Sequence, residues 1–395
     1  MKNNIYINKI KEYALGIWNV VSVWLGKTAS VKMKKKSYTI YPVKILVGLI
    51  ALVIVISVIG AVFSGGGSAG DVEIPFEAGS PYRVYPADDG VMVYNNRGAK
   101  AIDEKGEIKW ETDIALSEPM VDSAKDYVLF CDLAGNHYAA SYKNGNRVFE
   151  YNLGNDIISA KITKKGYAAF ATDTDGYKGK VSVFNKRGRE LYVWNSGSGY
   201  ITDIDLTDNG RYVAAAQLVG EEEEASTKIR FIDTRRGEVV GTAERKGEIA
   251  VSLKFVSDNK LIAVTDSNII GYNKKGKELF CISLMGKSPS KYSMDSDKMM
   301  AVMTLDNRGN TVIEMYSYSG KFRGAYTATG AIRHMAVSGN RVVIAEQRGL
   351  VSISPRGKEK AVLPIEHDVI ALGGYESGDS AIVIGSMDAE VIEIK

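Results

Sequence analysis

The chain is short of the residues that most often carry chemistry. Its 395 residues include two cysteines, three histidines, eight prolines and four tryptophans. Two cysteines exclude a disulfide framework and any cysteine-rich zinc or iron–sulfur centre. Cys131 closes the run YVLFC and Cys281 lies inside ELFCISL, so both are expected to be buried free thiols. The histidines His137, His334 and His367 are scattered, and HExxH does not occur. His334 stands beside Arg333 in AIRHMAV, so one of the two is expected to face inward on its strand. Helical periodicity is missing from residues 71–395, which excludes helical solenoids.

The charge is unevenly placed. Nine of the 50 basic residues and one of the 47 acidic residues fall in 1–70, so the remaining 41 bases and 46 acids give that part about −5. A mildly acidic domain is a poor nucleic-acid binder, which needs a basic stripe.

One long apolar run is present. Residues 45–63, ILVGLIALVIVISVIGAVF, hold 19 residues without a charge, close to the roughly 20 that cross a bilayer core. A signal peptide starts nearer the N-terminus and has a shorter apolar region. The run therefore reads as an uncleaved transmembrane helix. Lys32, Lys34, Lys35, Lys36 and Lys44 flank its N-terminal side, and a Gly/Ser-rich linker at 64–71 follows it. Positive charge stays inside, which predicts a cytoplasmic segment at 1–44 and an extracytoplasmic domain in the plasma membrane of the cell. Within 1–26, Ile10, Tyr13, Ile17, Val21 and Trp24 recur at helical spacing, the pattern of an amphipathic helix on the inner leaflet or against a partner membrane protein.

Beyond residue 71 a glycine-centred turn recurs at Gly106, Gly145, Gly188, Gly237, Gly276, Gly320 and Gly357. A period near 40 residues with strand-like flanks signals a repeat architecture. Each unit reads as four short strands, as in YITDID, YVAAAQ, KIRFID and EVVGTA. Eight segments read as innermost strands, from SPYRVYP to DVIALGG. The reading is an all-β propeller over 72–395 with eight blades, or seven if one unit is miscounted. The last unit lacks its outer strand, and VEIPFE at 72–77 is expected to supply it and close the ring.

The segment Ala101-x-Asp103-x-x-Gly106-x-x-x-Trp110 resembles the tryptophan-docking repeat of PQQ-type propellers, with Lys105 in place of the usual threonine. The other units keep an aromatic four residues after the glycine at Phe149, Tyr192 and Phe280, while Gly241, Gly324 and Ala361 stand there in the rest. The resemblance implies that Trp110 on Gly106's unit, Phe149 on Gly145's, Tyr192 on Gly188's and Phe280 on Gly276's pack between blades. One span joined to such a propeller is similar to membrane-anchored proteins of Gram-positive bacteria, which implies location and shape. It implies no PQQ cofactor, because the vicinal cysteines of the PQQ dehydrogenases are absent and Trp110 and Trp194 fall on outer strands.

No catalytic constellation and no cofactor or metal site is expected. Asp173 and Asp175 in TDTDGYKG open like a calcium loop, but Tyr177 and Phe184 stand where oxygen ligands are required. Glu221, Glu222, Glu223 and Glu224 read as a solvated hairpin tip. These loops, with Asp306, Arg308 and His367, are expected to share the face of the blade-to-blade connections, which would then be the polar binding face. The function expected is a non-catalytic binding or scaffolding module for an envelope protein, wall polymer or membrane complex. A ligand sensor signalling through the span is one rival, and an enzyme with its site in the channel is another. An enzyme predicts charged groups converging in the channel; a scaffold predicts a channel lined by small or apolar residues.

Overall fold

In the computed structural model, the described residues are 68–72 and 82–394, apart from short loop segments at 88–89, 134–137, 222–223, 285–286, 295, 307, 347–348, 366–367 and 386–388. The expected basic segment, amphipathic helix and transmembrane helix at 1–63 lie outside them. No helix among the described residues is long and apolar enough to cross a membrane.

Eight four-stranded antiparallel sheets follow one another along residues 68–394, and each sheet is one blade of a closed propeller. The innermost strands are Arg83–Ala87, Pro119–Ala124, Ile157–Ile162, Tyr200–Leu206, Ala250–Ser257, Ser288–Ser293, His334–Ser338 and Ala371–Gly374. All eight overlap the segments read from the sequence. Two middle strands follow in each blade, and they are apolar on both faces, as in AAFAT and SAIVI. The reason is that each blade is covered by a neighbour on either side. Outer strands alternate instead: Glu190–Asn195 shows every second residue to solvent.

Core clusters accordingly lie between blades. Leu129, Cys131 and Ala139 of the second blade pack with Ala160, Phe170 and Phe184 of the third. At the seam, Val91 and Ile102 of the first blade pack with Ile382, Ile384 and Val391 of the eighth. Tyr375 of the eighth blade is fully buried there and donates its hydroxyl to the Asp103 carbonyl at 2.9 Å.

The strand that closes the ring is Ser68–Val72, pairing antiparallel with Ala389–Glu393. It overlaps the expected 72–77 only at Val72, and it takes up part of the expected linker. A ladder over 72–77 would have included Pro75, which has no N–H to donate, so pairing is better served by the preceding residues.

The cysteines also differ from expectation. Cys131 is fully buried, but Cys281 is exposed. It sits on an outer strand, Glu278–Ser283, on the face that alternation turns towards solvent. Its apolar context in sequence comes from Phe280 and Ile282, which point to the other side.

Candidate functional site

Strand direction divides the connections between two faces. The hairpins joining innermost to second strands and the seven glycine turns lie on one, the turn face. Blade-to-blade connections and the loops between middle strands lie on the other, the connector face.

Several of the glycine turns share a local construction. Asp103 Oδ1 accepts the backbone N–H groups of Lys105 and Glu107, both at 2.9 Å. Asn185 does the same for Arg187 and Arg189, and Asn273 for Lys275 and Lys277. In these turns an Asx side chain closes the turn from inside, and in all seven the glycine takes the left-handed conformation, with φ of +78° at Gly145. That glycine also serves the neighbouring blade. A Cβ added at Gly145 would stand 2.8 Å from Trp110 Cβ, because Trp110 of the first blade lies across it. Phe149 lies in the same way on Gly188, Tyr192 on Gly237 and Phe280 on Gly320. Where glycine replaces the aromatic, the next turn moves in as bare backbone: a Cβ at Gly241 would meet Lys275 O at 2.0 Å, and one at Gly324 would meet Arg356 C at 2.4 Å. Gly106 and Gly276 hold the same left-handed turn.

All eight innermost strands line an axial cavity of about 230 Å³ that opens towards the turn face. Its wall is charged, with Asp122, Lys161, Asp205 and Lys254 facing one another from four blades. This is not the small or apolar lining that a scaffold was expected to have. The cause is the backbone: an innermost strand is a sheet edge, and its outward N–H groups need acceptors. Carboxylates supply them across blade boundaries. Asp122 accepts the Ile162 N–H at 2.6 Å and the Tyr85 hydroxyl at 2.5 Å. Asp203 accepts the Leu253 N–H at 2.8 Å and the Ser159 hydroxyl at 2.7 Å. Asp205 accepts the Phe255 N–H.

Lys161 is the counter-cation of this set. Burial works against its charge, but Asp122, Asp203 and Asp205 more than reverse that and hold its pKa above the usual lysine range. Burial pushes the Asp205 carboxyl up to about 7, opposed by Lys161 and the Phe255 N–H and reinforced by Asp122. Asp205 keeps some surface open to the cavity, yet protein encloses it on all sides. At the mouth, Lys164 of the third blade pairs with Asp297 of the sixth, and Glu376 of the eighth accepts the Ser296 hydroxyl at 3.4 Å. These contacts join blades that are not neighbours, so hairpins lace the mouth across. Among the described residues no group of histidines, cysteines and carboxylates could hold a metal ion.

The loops named from the sequence lie on the connector face, in separate blades. Asp173 accepts the Asp156 N–H at 2.9 Å, and Asp175 and Tyr177 are exposed in the same connection. Asp306 caps its own loop through the Arg308 and Asn310 N–H groups at 2.8 Å, and Asn310 holds its carboxyl below the usual range. Glu221 and Glu224 pair with each other at the tip of a long hairpin, whose strands Tyr212–Glu221 and Glu224–Asp233 continue the ladder throughout. Glu222, Glu223 and His367 lie outside the described residues. His334 is half-buried at the start of its strand, and burial, with Lys291, keeps its pKa below the ordinary value. Arg333 points outward and pairs with Asp368 at 3.4 Å.

Sequence reading missed a further feature of this face. Ile158, Tyr200 and Val251 stand exposed at the leading ends of three successive innermost strands, with Ile370 just before a fourth. Tyr200 is 59% and Val251 50% exposed, and Tyr177 in a loop and Leu305 at the end of a second strand add apolar surface on the same face. The other exposed large apolar residues lie almost entirely on outer strands, where alternation accounts for them. Period-two alternation hides a rim of this kind, since each member looks like an ordinary first strand residue.

Two solved structures share the architecture. BamB from Moraxella catarrhalis is 12% identical, with a TM-score of 0.53, over 83% of this chain and 100% of that one. The C-terminal WD40 domain of Sif2 is 15% identical, with a TM-score of 0.57, over 82% of this chain and 100% of that one. At such identities the likeness shows the fold alone. No curated protein matches the sequence. Residues 71–394 match the model of a family of unknown function, DUF5711, and the chain belongs to that family.

Proposed function

We propose that this chain is a membrane-anchored, extracytoplasmic propeller whose connector face binds a protein of the cell envelope, and that it performs no chemistry of its own. The observation that carries the reading is the apolar rim of Ile158, Tyr200, Val251 and Ile370 on a face whose loops are acidic. Grouped apolar side chains within a polar surround mark interaction sites on soluble surfaces. Anchorage is supported by the apolar run at 45–63 and its lysine-rich N-terminal flank. The reading of a non-catalytic channel is supported by the commitments of Asp122, Asp203 and Asp205, each of which holds a neighbouring blade's backbone. The Gly/Ser-rich composition of residues 64–67 argues against a sensor, because sequences of that kind transmit little torque.

The test is co-purification from native membranes after crosslinking, using the full-length chain. Tyr200→Asp and Val251→Asp should each reduce recovery of the partner about tenfold, as loss of an apolar anchor does. Leu191→Asp, on an outer strand, should leave recovery unchanged. Recovery of no stable partner, or equal loss with all three, would contradict the reading.

One observation favours a second reading, a small polar ligand held in the axial cavity: Asp205, pushed up to about 7, faces Lys161 there. A thermal-shift screen of small anions and polar metabolites in which none stabilises the ring would count against it.

A further inference from the structure

The seven glycine turns lie on one face, and every one displays a cation to solvent: Lys105, Arg147, Arg187, Arg235, Lys275, Lys321 and Arg356. This runs against composition, since the sequence from residue 71 onward is net acidic. Acids lie on both faces, with Glu107, Asp208, Asp258, Asp297 and Asp379 exposed on the turn face and Asp173, Asp175, Glu248, Asp266 and Asp368 on the connector face, so the recurring cation is what sets the glycine turns apart. The glycine turns therefore form a ring of repeated cations on one face.

The cations are densest between the sixth and seventh blades. There Lys321, Arg323, Arg356, Lys358 and Lys360 line an open groove of about 840 Å³ with Ser319 and Phe322. All five are exposed, none is paired with a described acid, and Phe322 shows 52% of its surface. An aromatic among unpaired cations suits the boundary between headgroups and acyl chains.

Strand register says which way this face is turned. Val72 pairs with Ala389, which follows a connector-face loop, and Ser68 pairs with Ile392 near the other end. The closing strand thus runs from the turn face to the connector face, and the chain enters the ring at the turn face. If 45–63 spans the membrane, residues 64–67 supply the whole tether, which extends at most about 14 Å.

We propose that the turn face lies on the outer leaflet and that its basic turns bind anionic phospholipid headgroups. This rests on the anchoring proposed above. The short tether favours lipid over a more distant wall polymer, and it leaves the connector face free for its partner.

The experiment reconstitutes the full-length chain into vesicles of phosphatidylcholine, with or without phosphatidylglycerol. Lysine reactivity towards an amine-acylating reagent is then read residue by residue by mass spectrometry. Lys275, Lys321 and Lys358 should be protected several-fold when phosphatidylglycerol is present, and about 1 M salt, which shortens screening to a few ångströms, should remove the protection. Lys178, on the connector face, should react equally in both vesicles. Arg356→Glu with Lys358→Glu should lower the protection of Lys321. Equal reactivity in the two lipids would overturn the proposal while leaving the anchor intact, because flotation and resistance to alkaline extraction report insertion in the same samples. A chain that fails to insert overturns both. Equal protection by soluble polyphosphate over phosphatidylcholine would also overturn it, reassigning the turns to a soluble polyanion.

Discussion

Gly145 carries two duties that no other residue type combines. Its φ of +78° closes the turn, and its missing side chain admits the Trp110 ring from the preceding blade. Gly154 separates these duties, since its φ is +72° but nothing lies within 4 Å of the Cβ it lacks. Valine at either position bears the left-handed strain, about 1–3 kcal/mol. Gly145→Val additionally forces the indole away, so it should cost about 1–3 kcal/mol more than Gly154→Val in denaturant unfolding. Equal costs would mean that the indole is free to move. The turn glycines and their aromatics were legible in sequence as a period. That Gly241 and Gly324 continue the same contact as bare backbone was not, because a residue defined by what approaches it leaves no pattern of its own. Asp122, Asp203 and Asp205 were missed for a similar reason. In sequence they are ordinary acids in alternating strands, and only the arrangement of sheet edges gives them N–H groups to hold.

Strands were the most legible elements. All eight innermost segments read from the sequence are innermost strands, since turns rich in glycine, asparagine and aspartate bound each of them. The closing strand was placed four residues late, because SAGDV has little β-propensity and is chosen for its freedom from proline rather than for its side chains. Closure makes it important out of proportion to its length. A chain beginning at Gly66 keeps the strand, whereas one beginning at Glu73 leaves Ala389–Glu393 as an open edge. The shorter chain should melt several degrees lower and associate in a concentration-dependent way by light scattering. Identical melting of the two would show that the ring does not depend on its velcro. The apolar rim of the connector face belongs to this scale as well: it is a property of aligned strand ends, visible only once the blades are set side by side.

At the scale of the whole molecule the account makes one central claim. We propose that the ring stands outside the cell, with the cations of the glycine turns on the face where the chain enters and an apolar rim on the other. The cysteines make it testable without altering the chain. Cys131 is fully buried, and burial raises its pKa far above the ordinary thiol value. Cys281 is exposed on an outer strand, where burial raises its pKa and Arg245 partly offsets the shift. The measurement is labelling of intact cells at mildly alkaline pH with a membrane-impermeant maleimide, followed by mass spectrometry. The account predicts modification of Cys281 before lysis and of Cys131 only after unfolding. Labelling of Cys281 only after the cells are opened would place the ring in the cytoplasm and contradict it.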